Sequence, residues 1–262
     1  MKITSVTATA VAIPSREPPE AAWIWGRVAQ VFVEVETDAG LTGVGEAFAF
    51  GMPLAVVAVV NDTLAPMLVG EDPSEITRLT RAMFKGTHLF GRYGITTFAI
   101  SGVEIALWDL AGKRAGMPLC DLLGGAATKR VPAYASLVRH PEDDPRVAEE
   151  SDRTMEEGYT MLKLHQNAPA TIAKARDVIG PGVPLTVDVN CAWSAHDAVA
   201  VARELRELDV YWLEEPVWPP EDFASLVGGR GRVECHRYSD GPGRRRRHPR
   251  QRRRHHGDEH FI

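Results

Sequence analysis

Three cysteines in 262 residues, Cys120, Cys191 and Cys235, are odd in number and never fall in a C-x-x-C spacing. That argues against a disulfide framework and suits a reducing compartment, so a cytoplasmic location is expected. Long apolar runs are scarce too: none reaches 18 residues, and no membrane span is expected. The opening MKITSVTATAVAIPSREPPE alternates like a strand, without a continuous apolar core or a cleavage site, so no signal peptide is expected. Basic residues are outnumbered over most of the chain. Residues 228–262 hold 11 arginines against four acids, a net +7, which leaves 19 basic and 31 acidic side chains, a net −12, for residues 1–227.

What is present is enough for a normal core, at 44% hydrophobic. Residues 3–13 and 29–37 alternate at period two, and Asp38-Ala39-Gly40 is a turn leading into a third strand, LTGVGEAFA. Helical patterns follow over 53–68, 73–86 and 95–116. In the last, Val103, Ala106, Leu107, Leu110 and Ala111 form one stripe. From Val131 the rhythm becomes strand, helix, strand, helix: VPAYASL, a helix closed by Gly158, YTMLKLH, a helix closed by Gly180, LTVDVN, a helix capped by Ser194, and VYWLEEP. Alternation of this kind predicts a parallel sheet or barrel of βα units.

Three of those strands end on polar residues. Residues two apart share a face of a strand, so Lys163 and His165 pair on one strand, Asp188 and Asn190 on the next, and Glu214 with Trp212 on the fourth, with Glu215 on the other side. Strand C-terminal ends are where βα barrels build active sites. Singly, each has a plain explanation: a helix cap for Asp188, a solvated terminus for EEP, a snorkelling lysine and a satisfied histidine for KLH. Together, in order, they describe carboxylates for Mg²⁺ beside a lysine and a candidate base, His165.

Two longer stretches carry a resemblance. AISGVEIALWDLAGKRAGMPLCDLLGG (99–125) and LTVDVNCAWSAHDAVAVARELRELDVYWLEEP (185–216) are similar to the two signatures of the mandelate racemase / muconate lactonizing enzyme family of the enolase superfamily. The resemblance implies an α+β capping domain with its linking helix over 1–125. It also implies the first half of a (β/α)-barrel over 126–227, one Mg²⁺, and abstraction of a proton α to a carboxylate. Position by position, Asp188 and Glu214 match metal ligands and Lys163 the first lysine of a K-x-K motif. His165 stands where the second lysine would be. Asn190, Trp23, Trp25 and Phe48 are the expected substrate contacts, the last three in segments that correspond to specificity loops. Expected partners are a small carboxylate, an acid sugar or hydroxy acid, with dehydration slightly preferred to racemisation, and further copies of the chain in intact family members.

Residues 228–262 show neither stripe nor alternation and are expected to be disordered. A frameshift in a GC-rich gene accounts for their Arg, Gly, Pro and His content. On that account the chain is truncated, lacks a third acidic ligand and a second acid/base group, and is inactive or nearly so alone. The tail could otherwise bind nucleic acid in a non-catalytic protein, although it lacks interleaved aromatics, or the chain could be one part of a split barrel.

Overall fold

A computed structural model describes residues 1–14 and 27–230 of the chain. Two compact units divide between Ala133 and Tyr134. Trp23, Trp25 and most of the basic tail lie outside the described residues.

The first unit is an antiparallel meander in the order β1 (Ile3–Pro14), β2 (Arg27–Thr37), β3 (Thr42–Ala47). Alternation works as expected in the central strand: Val31, Val33 and Val35 are buried while their neighbours face out. Gly40, at φ 74°, makes the turn between β2 and β3, where its N–H donates to Thr37 O (3.1 Å). Helix α1 (Pro53–Ala58) continues through a π-helical segment (Val59–Leu64) into α2 (Ala65–Leu68), and α3 (Ile76–Thr87) and α4 (Ile95–Ala115) follow. Asn61, in the π segment, takes the N–H of Ala8 (2.7 Å) and donates to its carbonyl (3.3 Å). Edge strand β1 is thus blunted at that point.

Helix α4 buries Ala99, Ile100, Val103, Ala106, Leu107 and Leu110. Each of the larger side chains is worth about 1.5–3 kcal/mol when buried. Gly43 and Gly45 of β3 let the strand lie against the helix backbone, because a Cβ there would strike Ala106 O or Gly102 O. Gly116, left-handed at φ 63°, stops the helix. A short helix, α5 (Leu119–Leu122), follows.

The second unit holds four parallel strands in sequence order: β4 (Ala135–Ser136), β5 (Leu162–Leu164), β6 (Leu185–Asp188) and β7 (Val210–Glu214). The helices between them are α6 (Arg146–Glu156), α7 (Pro169–Ile179) and α8 (Ala195–Glu207). Every residue of β5 and β6 is buried, as expected of strands covered on both faces. Ser194 caps α8 by accepting from Asp197 N (3.2 Å). The first strand is far shorter than VPAYASL suggested, with only two residues in the ladder. The last helix, α9 (Phe223–Arg230), runs beyond the boundary expected at residue 227.

At the N-terminal ends of β6 and β7 sits a buried arginine. Arg176 donates to the carbonyls of Gly180 (2.8 Å), Val183 (2.7 Å), Leu208 (2.9 Å) and Asp209 (3.0 Å). It ties the end of α7 to the turns that lead into both strands. Burial pulls its pKa down, and Asp209 partly opposes this.

Candidate active site

The opposite ends of the same strands carry the polar cluster. The ladder pairs Lys163 with Thr186 and Asp188 with Glu214, so Asp188 and Glu214 lie at one level and Lys163 reaches up to them from two residues lower on the neighbouring strand. Lys163 Nζ lies 2.9 Å from Asp188 Oδ2 and 2.9 Å from Glu214 Oε1. The lysine and aspartate are buried, whereas the Glu214 side chain is 39% exposed. Burial works against the charge on Lys163, but hydrogen bonds to the two carboxylates outweigh it and hold its pKa above the ordinary lysine value. Burial likewise works against the Asp188 carboxylate; Lys163, the Asn190 N–H and His165 overcome it and hold that pKa below the ordinary value. Lys163 is therefore a buried lysine paired with both carboxylates and not a snorkelling rim lysine.

His165 joins this pair from the side. Its Nδ1 is 2.7 Å from Leu137 O, and its Nε2 is 3.3 Å from Asp188 Oδ2. A carbonyl can only accept, so Nδ1 carries a proton and Nε2 is the nitrogen turned toward the cluster. Trp212 Nε1 donates to Glu214 Oε2 (3.2 Å), which fixes the more exposed carboxylate from its own strand.

Two expectations change in detail. Asn190 does not reach Asp188 by strand alternation, because β6 stops at Asp188 and both Asn190 (φ 48°) and Cys191 (φ 58°) turn left-handed. That turn lets the Asn190 backbone N–H (3.0 Å) and side-chain amide (2.9 Å) both donate to Asp188 Oδ1. Glu215 also has positive φ (47°), and its Oε2 comes within 3.4 Å of Asn190 Nδ2, so it does not simply take the other side. Phe48 is in the first unit, 58% exposed and edge-on to Phe98 at 4.9 Å. The cluster brings together Lys163, His165, Asp188, Asn190 and Glu214. Sequence reasoning missed Trp212 as a hydrogen-bond donor, Leu137 as the acceptor for the ring, and Glu215. Leu137 acts through its backbone, which no side-chain pattern could mark.

Two family models match the chain: Mandelate racemase / muconate lactonizing enzyme, N-terminal domain, over residues 3–124, and Enolase C-terminal domain-like, over residues 146–233. The chain belongs to the mandelate racemase / muconate lactonizing enzyme family. Within this family it is 34% identical to the arabinonate dehydratase of Saccharolobus solfataricus, over 71% of this chain and 52% of that protein. It is also 34% identical to the 3,6-anhydro-alpha-L-galactonate cycloisomerase of Streptomyces coelicolor, over 76% of this chain and 55% of the relative. The chain thus spans little more than half the length of either. A crystal structure of an enolase-superfamily member from Polaromonas sp. JS666 superposes with a TM-score of 0.79 at 31% identity, covering 90% of this chain and 64% of that one.

The family's metal can be tested against the donors. Asp188 and Glu214 already hold one cation, the Lys163 ammonium, between hard carboxylate oxygens. That is the donor type Mg²⁺ prefers, and the ion commonly takes one or two carboxylates plus waters. Among the described residues no group of three His, Cys, Asp or Glu side chains converges. The fit is right in chemistry and limited to two protein ligands.

Proposed function

We propose that the second unit carries one face of a Mg²⁺-dependent site that removes a proton α to the carboxylate of an acid sugar, leading to dehydration. The observation that supports this reading is the convergence of Lys163, His165, Asp188 and Glu214 at the C-terminal ends of successive parallel strands. The two relatives named above, a dehydratase and a cycloisomerase, fit the same first chemical step.

Asp188 and Glu214 would hold the metal. When bound, it would draw electron density from the substrate carboxylate and so acidify the neighbouring C–H. His165 Nε2 takes that proton, while the Leu137 carbonyl keeps the other ring nitrogen protonated and the ring in place. Lys163, held charged, offers a fixed positive field to the developing carboxylate charge. The β-hydroxyl leaves as water with the proton that His165 Nε2 took up, and the electron pair freed at Cα forms the double bond. Asn190, Trp23, Trp25 and Phe48 are proposed as substrate contacts, and self-association is proposed for the intact protein.

The test is α-proton exchange. The chain is incubated with Mg²⁺ and arabinonate in D₂O and followed by NMR. Exchange needs only this face of the site and is expected to be slow but measurable, and to fall to the protein-free rate in His165→Asn. Equal exchange in wild type and His165→Asn would overturn the assignment of the base, as would no exchange in either.

A further inference from the structure

Below the catalytic face, the segment that leaves β4 is gripped by two consecutive residues that leave β5. The ladder ends with Leu137 N donating to Lys163 O (2.9 Å), and the His165 ring then takes the Leu137 carbonyl. Three residues on, Gln166 holds the backbone of His140 from both sides. With its amide oriented to satisfy both groups, it donates to His140 O (3.2 Å) and accepts from His140 N (2.8 Å). Both residues are buried. The His140 ring in turn contacts Glu150 of α6, with Nε2 3.0 Å from Oε2. Its Nδ1 is buried and meets no partner among the described residues.

We infer that Gln166, His140 and Glu150 form a buried latch whose task is to position His165. The latch fixes the 137–140 segment, which fixes the Leu137 carbonyl. That carbonyl in turn keeps the proton on Nδ1 and turns Nε2 toward Asp188 and the site. A bond from the His165 ring to a loosely held carbonyl would not define one tautomer, because the segment could swing away. Gln166, His140 and Glu150 are positioning residues and touch no reacting atom. The inference rests on the reading of His165 as the base, but its test does not need activity.

The test reads the imidazole directly. The full chain is labelled with ¹⁵N-histidine, and His165 is assigned by its loss in His165→Asn. Spectra are taken at alkaline pH, where a free imidazole is neutral. Wild type should show one protonated nitrogen, Nδ1, and one bare nitrogen, Nε2. In Gln166→Leu the two shifts should move toward a common average, and the Nδ1–H should exchange with water roughly tenfold faster, as for the loss of about one hydrogen bond. Arg176→Lys weakens the same unit from the other end of the strands and should leave the pattern unchanged. If Gln166→Leu does not fold, Glu150→Ala should give the same change to a smaller degree. An unaltered His165 pattern in a folded latch variant overturns the inference, and so does an equal change in Arg176→Lys. An intact pattern in wild type beside undiminished α-proton exchange in His165→Asn would instead remove the base assignment and leave the latch standing.

Discussion

The two units bury different kinds of residue. Among the described residues, the first unit buries apolar side chains and three threonines, Thr37, Thr87 and Thr96. The second buries Lys163, Arg176, Asp188, His140 and Gln166 as well. An ion taken out of water costs several kcal/mol even after relaxation, so each one needs a compensating role. That role differs between the two ends of the strands. At the N-terminal ends Arg176 satisfies four carbonyls and holds turns together. At the C-terminal ends the charges face one another around a place where a substrate and a metal would sit. The core of the first unit shows what a fold buries for stability, and the second buries in addition charges that the proposed chemistry would use.

The comparison breaks most sharply at the glycine seam. Gly45→Val places a side chain where the backbone of α4 lies, and the chain should lose roughly 3–4 kcal/mol of stability or fail to fold, as read by denaturant unfolding. Next comes the staple. Arg176→Met takes the donor from four part-buried carbonyls and should cost about 3 kcal/mol, with no change in metal affinity measured on the folded fraction. At the site, Asp188→Ala should also cost about 3 kcal/mol, because Lys163 stays buried with one carboxylate instead of two. Replacing Lys163, Asp188 and Glu214 together by Met, Leu and Met should come within about 1 kcal/mol of wild type, since a paired buried cluster adds little net stability. A loss as large as that of Arg176→Met would instead make the cluster structural.

The smallest effect sharpens the contrast from the first unit. Asp109 Oδ2 accepts from Lys113 Nζ (2.7 Å) and from Val44 N (2.7 Å). Burial pushes its carboxyl pKa up, but these two partners overcome that and hold it below the ordinary 3.8. A depressed folded pKa gives stability that is present above the unfolded value and lost as pH falls through the folded one. The side chain is partly exposed, so Asp109→Asn should cost only a few tenths of a kcal/mol at neutral pH. The difference from wild type should close as pH drops below 3.8.

The same contrast explains what could be read from the residues alone. Strand β2 and helix α4 were legible because one face of each is buried, and burial leaves a period of two or 3.6 in the sequence. Asp188 and Glu214 were legible because a carboxylate is out of place at the end of a core strand. Strand β4 was overestimated, since nothing in VPAYASL marks where its partner's ladder stops. The Asn190 turn was misread because a left-handed residue at a strand end leaves little trace unless it is glycine. Gln166 and His140 were invisible as a pair: their bonds run from a side chain to a backbone 26 positions away, and no local pattern encodes that.

If the charges at the strand ends form a metal-binding, proton-transferring site, Mg²⁺ should bind there. Calorimetric titration of the intact chain with Mg²⁺, in parallel with Asp188→Ala and Arg176→Lys, tests it most directly. Wild type should bind, Arg176→Lys should bind with unchanged affinity, and Asp188→Ala should lose at least roughly tenfold, as for removal of one of two charged ligands. Equal affinity in wild type and Asp188→Ala, or no binding in wild type, would contradict it.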